Sequence, residues 1–231
     1  MIRRIQLVPI VLALGLVSGS AHAALQGRDL NGSVGSFEAY YDTDLDITWL
    51  ADANYAKTSG YHADGNMYWA DANTWAVNLS LVDAVNNLTY DNWRLPTTLQ
   101  PDASCGTQAG GSSYGYGCTG SEMGHLFYSE LGGTAGQSIL TNSDSDLAKF
   151  TNFQAHSFYW SGTDAPNTDA AWFFGFGNGG QSADYKDHII YYALAVSPGD
   201  VGAVAAVPEA QTYALMLAGL GLIGWRARRR G

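Results

Sequence analysis

FQAHSFYWSGT (153–163), AAWFFGF (170–176) and HIIYYALAVSPGD (188–200) are dense in aromatic and aliphatic residues. They are separated by Asp164-Ala165-Pro166-Asn167 and Asn178-Gly179-Gly180, so they read as strands divided by turns. Upstream, GSFEAYYDTDLDITWLADA (35–53) reads as one or two more strands. In it Tyr41, Thr43, Leu45, Ile47 and Trp49 alternate onto one face, with Asp42, Asp44 and Asp46 on the other. The period then changes. In YWADANTWAVNLSLVDAV (68–85), Ala72, Trp75, Ala76 and Leu79 make one helical face. Pro96 keeps Arg94 and Leu95 extended. Thr119-Gly120-Ser121-Glu122 has capping-box spacing, and Met123, Leu126, Phe127 and Leu131 give a second helix face that Gly132-Gly133 stops. Strand, helix, helix and a run of strands predict an α+β fold with a mainly antiparallel sheet.

The two ends have a different character. MIRRIQLVPIVLALGLVSGSAHA (1–23) has an early positive pair, a short apolar run and Ala21-His22-Ala23, which together read as a signal peptide cut by signal peptidase. Residues 24–207 then form the mature domain. At the other end, Ala210 to Trp225 forms a short transmembrane helix of about 24 Å, set against a hydrocarbon core of about 30 Å. Arg226, Arg228, Arg229 and Arg230 follow it as a basic tail that stays on the cytoplasmic side. Val207-Pro208-Glu209, the apolar stretch and the arginines resemble the PEP-CTERM sorting signal of exported bacterial proteins over 208–231, with Ala210 where that pattern usually has proline. The resemblance implies an exosortase as processing partner. It also implies a passage through the inner membrane to the cell surface or extracellular matrix.

Between the ends the chain is acidic. Residues 24–207 hold five basic and twenty acidic side chains, a net charge of −15. Such a surface repels phosphate backbones, which argues against nucleic acid as a partner. Cys105 and Cys118 are the only cysteines, and in an exported chain they are expected as a disulfide that closes CGTQAGGSSYGYGC. Closing a loop of that length stabilises by about 3 kcal/mol in the chain-entropy picture.

DITWLADAN (46–54), WADANTWAVNL (69–79), NWRLPTT (92–98), YWSGT (159–163), AWFFGFGNGGQ (171–181) and ALAVSPGD (193–200) occur in that order. Together they resemble the Lcl C-terminal-type domain, whose function is largely unknown. The resemblance implies a C-type lectin-like fold over nearly all of 38–201: two helices packed on a twisted, mainly antiparallel sheet, with long loops. Ser197 stands where that family often has arginine, so no role of that arginine carries over. Trp93, Trp160 and Trp172 are expected in the core, and Arg94 is expected to pair with a carboxylate.

Catalytic signals are sparse. Gly111-Ser112-Ser113-Tyr114-Gly115 fits G-x-S-x-G but sits in a Gly/Ser loop rather than a strand-to-helix turn. Gln100-Pro101-Asp102 matches a tripeptide of galactose-binding lectins without their downstream partner triplet, and reads as a turn. His62, His125, His156 and His188 have no paired spacing, and His125 is expected on the exposed side of the second helix with no local partner. Asp42, Asp44 and Asp46 are candidate calcium ligands; no other cofactor is expected. Tyr61, Tyr68, Tyr114 and Tyr116 are candidate sugar-stacking groups. The sequence thus leads to a non-catalytic surface or matrix protein that binds exopolysaccharide. The alternatives are an acidic structural matrix component and an enzyme acting on envelope polymers.

Overall fold

In the computed structural model, the described residues are 25–33, 35–154, 157–167 and 169–202. The signal peptide 1–23, His156, the sorting motif Val207-Pro208-Glu209, the transmembrane stretch 210–225 and the terminal arginines lie outside them. Among the described residues no helix is long and apolar enough to cross a membrane.

Among the described residues, eleven strands pair antiparallel in four sheets. The first joins β1 (Leu25–Arg28), β2 (Ala39–Asp42), β3 (Ile47–Leu50) and, as its last member, β11 (Val196–Pro198). Two hairpins follow along the chain, β4 (Leu81–Asp83) with β5 (Leu88–Tyr90) and β6 (Thr107–Ala109) with β7 (Ser112–Tyr114). The fourth sheet sets β9 (Ala170–Gly175) between β8 (Phe158–Asp164) and β10 (Gly180–Tyr185). All six residues of β9 are buried, which suits a near-continuous apolar run in a central strand covered on both faces.

The two faces feed different cores. Tyr159 and Phe174 point into one with Trp49, Met123, Leu126 and Phe127, while Trp160 and Phe173 point into the other with Ala72, Trp75, Trp93 and Leu95. One helix therefore covers each side. They are α2 (Trp69–Val77) and α3 (Glu122–His125); α1 (Tyr55–Thr58) is a single turn before α2. Trp93, Trp160 and Trp172 are buried, as their type predicts.

The extended segment Trp93–Thr98 joins these parts. Arg94 exchanges both backbone hydrogen bonds with Val196 at 2.8 and 2.9 Å. The Pro96 carbonyl accepts from Gly162 N at 2.8 Å and from Ser161 Oγ at 2.9 Å. The Arg94 guanidinium grips Glu122 with two bonds of 2.8 and 2.7 Å, and the Thr97 amide donates to the same carboxylate at 2.7 Å. NWRLPTT, YWSGT and ALAVSPGD thus meet in space, and α3 is fastened to them.

Several local expectations are corrected. Residues 41–49 are a hairpin, so the three aspartates do not share a face. Asp42 is fully buried and accepts from the amides of Asp44 and Leu45, and Asp46 turns the chain with φ 51°. The face expected to reach Leu79 ends with α2 at Val77, and a hairpin follows. Asp83 closes that hairpin by accepting from Val85 and Asn86, a local bond that competes with helix. Ser121, not Thr119, stands at the N-cap position of α3, but its hydroxyl accepts from Leu99 N and not from the helix, and Glu122 is drawn to Arg94 instead of back onto the helix start. The disulfide Cys105–Cys118 is present, and inside it lies a hairpin turned at Gly110-Gly111, both with positive φ. Gly124 lets α3 approach this loop, since a Cβ there would come within 1.8 Å of the Cys118 carbonyl.

If the 93–98 segment is the fastening, Arg94→Ala should cost about 2–3 kcal/mol in urea unfolding, because it strips a charged hydrogen-bonded partner from Glu122. The double variant with Glu122→Ala should cost little more than either single change. Additive losses would mean that the two side chains act independently.

Candidate functional site

The sequence singled out four tyrosines and three aspartates, and the structure rearranges both sets. Tyr61 lines a groove of about 360 Å³ between the ends of α1 and α2, with Tyr55, Trp75, Asn78 and Ser80. Tyr114 lines a different groove of about 280 Å³, with Ser112, Pro166, Asn167, Trp172 and Ser182. Each groove pairs an exposed tyrosine with a largely buried tryptophan, and neither is lined by a charged residue. Tyr68 and Tyr116 are exposed but line neither. The indole N–H of Trp172 is buried without a hydrogen-bond partner. Of the five basic side chains in 24–207, Arg28, Arg94, Lys149 and Lys186 are paired with Asp200, Glu122, Asp146 and Asp164.

Asp44 and Asp46 are exposed and do not converge with Asp42. Asp42 instead faces His125 and Glu130. The His125 Nε2 lies 3.2 Å from Glu130 Oε1 and 3.8 Å from Asp42 Oδ2, and Trp49 Nε1 donates to the same Asp42 oxygen at 3.2 Å. The side chains of Asp42, Glu130 and His125 are 0%, 2% and 14% exposed. His125 therefore does have partners, against expectation. The Glu130 hydrogen bond is the largest influence on its imidazole. Together with the Asp42, Glu130 and Asp44 charges it holds the pKa above the ordinary value, although burial pulls the other way.

A π-helical turn, Leu126–Glu130, makes the meeting possible. On an α-helix, residues five apart point about 140° away from each other. Here Leu131 N donates to Leu126 O at 2.9 Å, a five-residue span that widens the turn and brings Glu130 beneath His125. Such turns are frequent at functional sites. A signal was readable in the sequence: Glu130 stands three residues after Phe127 and four after Leu126, so it falls on the apolar stripe.

Other candidates resolve into structure. Ser113 is fully buried, donates to Gln108 at 2.6 Å and accepts from the Asp102 amide at 2.9 Å, so it is no exposed nucleophile. Asp102 is buried and holds the disulfide loop through Ser104 and Gly120. His62 and His188 lie at the surface.

The cluster makes its own prediction. His125→Ala leaves two carboxylates buried together and should cost about 3 kcal/mol in chelator-containing buffer. Adding Glu130→Gln should recover part of that loss. If His125→Ala is neutral in urea unfolding, the three groups do not interact as the distances imply.

The comparisons with known proteins speak to the end of the chain. Residues 206–230 match the PEP-CTERM protein-sorting motif. The searches of curated proteins and of solved structures gave no match. The motif indicates an exported protein that is processed by exosortase and carried through the membrane toward the cell surface.

Proposed function

We propose that the exported domain is a non-catalytic binder of neutral extracellular polysaccharide. The observation that carries this is the pair of uncharged grooves, Tyr61 with Trp75 and Tyr114 with Trp172, on a domain of net charge −15. Sugar rings stack on aromatic faces, and serine and asparagine at the groove edges supply hydrogen bonds to hydroxyls. An anionic polymer would be repelled by the net negative charge of the domain, which favours a neutral one. Two weak grooves on one chain can hold a long polymer by avidity. An Lcl C-terminal-type, C-type lectin-like fold belongs to this reading. It draws support from the contact between NWRLPTT, YWSGT and ALAVSPGD, which are far apart in sequence. The disulfide and the buried Ser113 weigh against the nucleophiles an enzyme would need.

The test is retention of the released protein in gels that contain the producing cell's own neutral exopolysaccharide. Tyr61→Ala and Tyr114→Ala should each weaken binding about tenfold, roughly 1.4 kcal/mol, and the double variant should lose it. Tyr68→Ala and Tyr116→Ala should bind as the parent does. A parent chain that is not retained, yet self-associates in ultracentrifugation, would overturn this reading in favour of an acidic structural coat.

A further inference from the structure

The grooves leave the Asp42, His125 and Glu130 cluster unexplained. It is one of two groups among the described residues whose potential metal-ligating atoms all lie within 4.8 Å of one another. The other, Asp102 with Cys105 and Cys118, has both sulfurs committed to the disulfide. An ion pair alone accounts poorly for the first group. It encloses two carboxylates around one imidazole, and Glu130 Oε2 is buried with no hydrogen-bond partner at all. A buried carboxylate oxygen left bare is costly, and a cation is what would satisfy it.

We propose that Asp42, His125 and Glu130 form a binding site for a divalent d-block cation of the zinc class. This is independent of the polysaccharide reading. The donor set decides the kind of ion. One imidazole nitrogen with two carboxylates suits zinc and its neighbours, whereas calcium and magnesium prefer oxygen alone. The spacing fits as well. Tetrahedral bonds of about 2.0–2.2 Å set neighbouring donor atoms about 3.4 Å apart, and the two known separations from His125 Nε2 are 3.2 and 3.8 Å. The ion would take the place of the proton between Nε2 and Glu130.

Outer support is already built. Trp49 Nε1 donates to Asp42 Oδ2, and the amides of Asp44 and Leu45 donate to Oδ1, which fixes the carboxylate as metal sites require. The ligands come from the end of β2, the end of α3 and the π-helical turn. The π-helical turn thereby gains a reason: it sets Glu130 beside His125. Three protein ligands leave one position, which the second Glu130 oxygen or a water can fill.

The experiment is equilibrium dialysis of the protein, purified without a histidine tag from cells that export it and first stripped with chelator, against zinc, manganese and calcium. One zinc per chain is expected, and the cobalt-substituted protein should show the visible bands of four-coordinate cobalt. Glu130→Gln and His125→Asn should weaken zinc binding by more than the ~10–100-fold that loss of an outer-shell contact causes. Trp49→Phe should weaken it about tenfold. If His125→Asn fails to fold by near-ultraviolet dichroism, Glu130→Gln and Trp49→Phe carry the test. No zinc bound by the parent, zinc bound equally by the parent and Glu130→Gln as an adventitious ion only, or a preference for calcium would each overturn the proposal. Loss of glycan retention would not bear on it.

Discussion

The fold depends most on the short extended segment Trp93–Thr98. Its backbone bonds to Val196 of the first sheet and its Pro96 carbonyl receives Ser161 and Gly162 of the fourth. Its arginine holds Glu122 at the start of α3. Pro96 has no amide to donate and keeps Leu95 out of helical conformation, so the segment stays extended and its neighbours must come to it. With the sheets fixed there, β9 is buried on both faces, and two helices with apolar stripes are needed to cover it. The cores follow from that arrangement: the alternation of Tyr159 with Trp160, and of Phe173 with Phe174, sends successive rings to opposite sides.

Much of this was legible because it is encoded in dense apolar patterns. β8, β9, the α2 face through Trp75 and Ala76, and the pairing of Cys105 with Cys118 were readable from spacing and type. Arg94 was readable as a paired cation because cations are rare in so acidic a domain. What escaped was set by single polar side chains acting on nearby backbone. Asp42 and Asp83 each capture two amides and turn a chain that periodicity would have continued. β10, Gly180–Tyr185, is polar apart from Ala183 and Tyr185, and its strand character comes from the fully buried neighbour it pairs with. The candidate site escaped for a related reason. His125 and Glu130 do not meet on an ideal helix, and only the π-helical turn brings them together.

The sorting motif and the domain describe one path. An exported chain needs stability without help from the cytoplasm, and a disulfide, a bidentate ion pair and doubly buried aromatic strands provide it. Its carboxylates outnumber its cations by fifteen between residues 24 and 207, a charge that would repel an anionic partner. The two tyrosine grooves are the surfaces we propose for a neutral polymer, and the Asp42, His125 and Glu130 cluster is a separate feature inside the fold.

The polysaccharide reading supposes that the domain reaches the outside of the cell and leaves its tail behind. The direct measurement is the intact mass of the native protein in the membrane and culture-medium fractions of the producing cell. The account predicts a released chain that starts near Ala24, ends near Pro208-Glu209 and lacks the two thiol hydrogens of Cys105 and Cys118. A chain that keeps Trp225 and the terminal arginines and is found only in the membrane fraction would contradict it. The tail would then be an anchor, and the domain would work at the inner membrane.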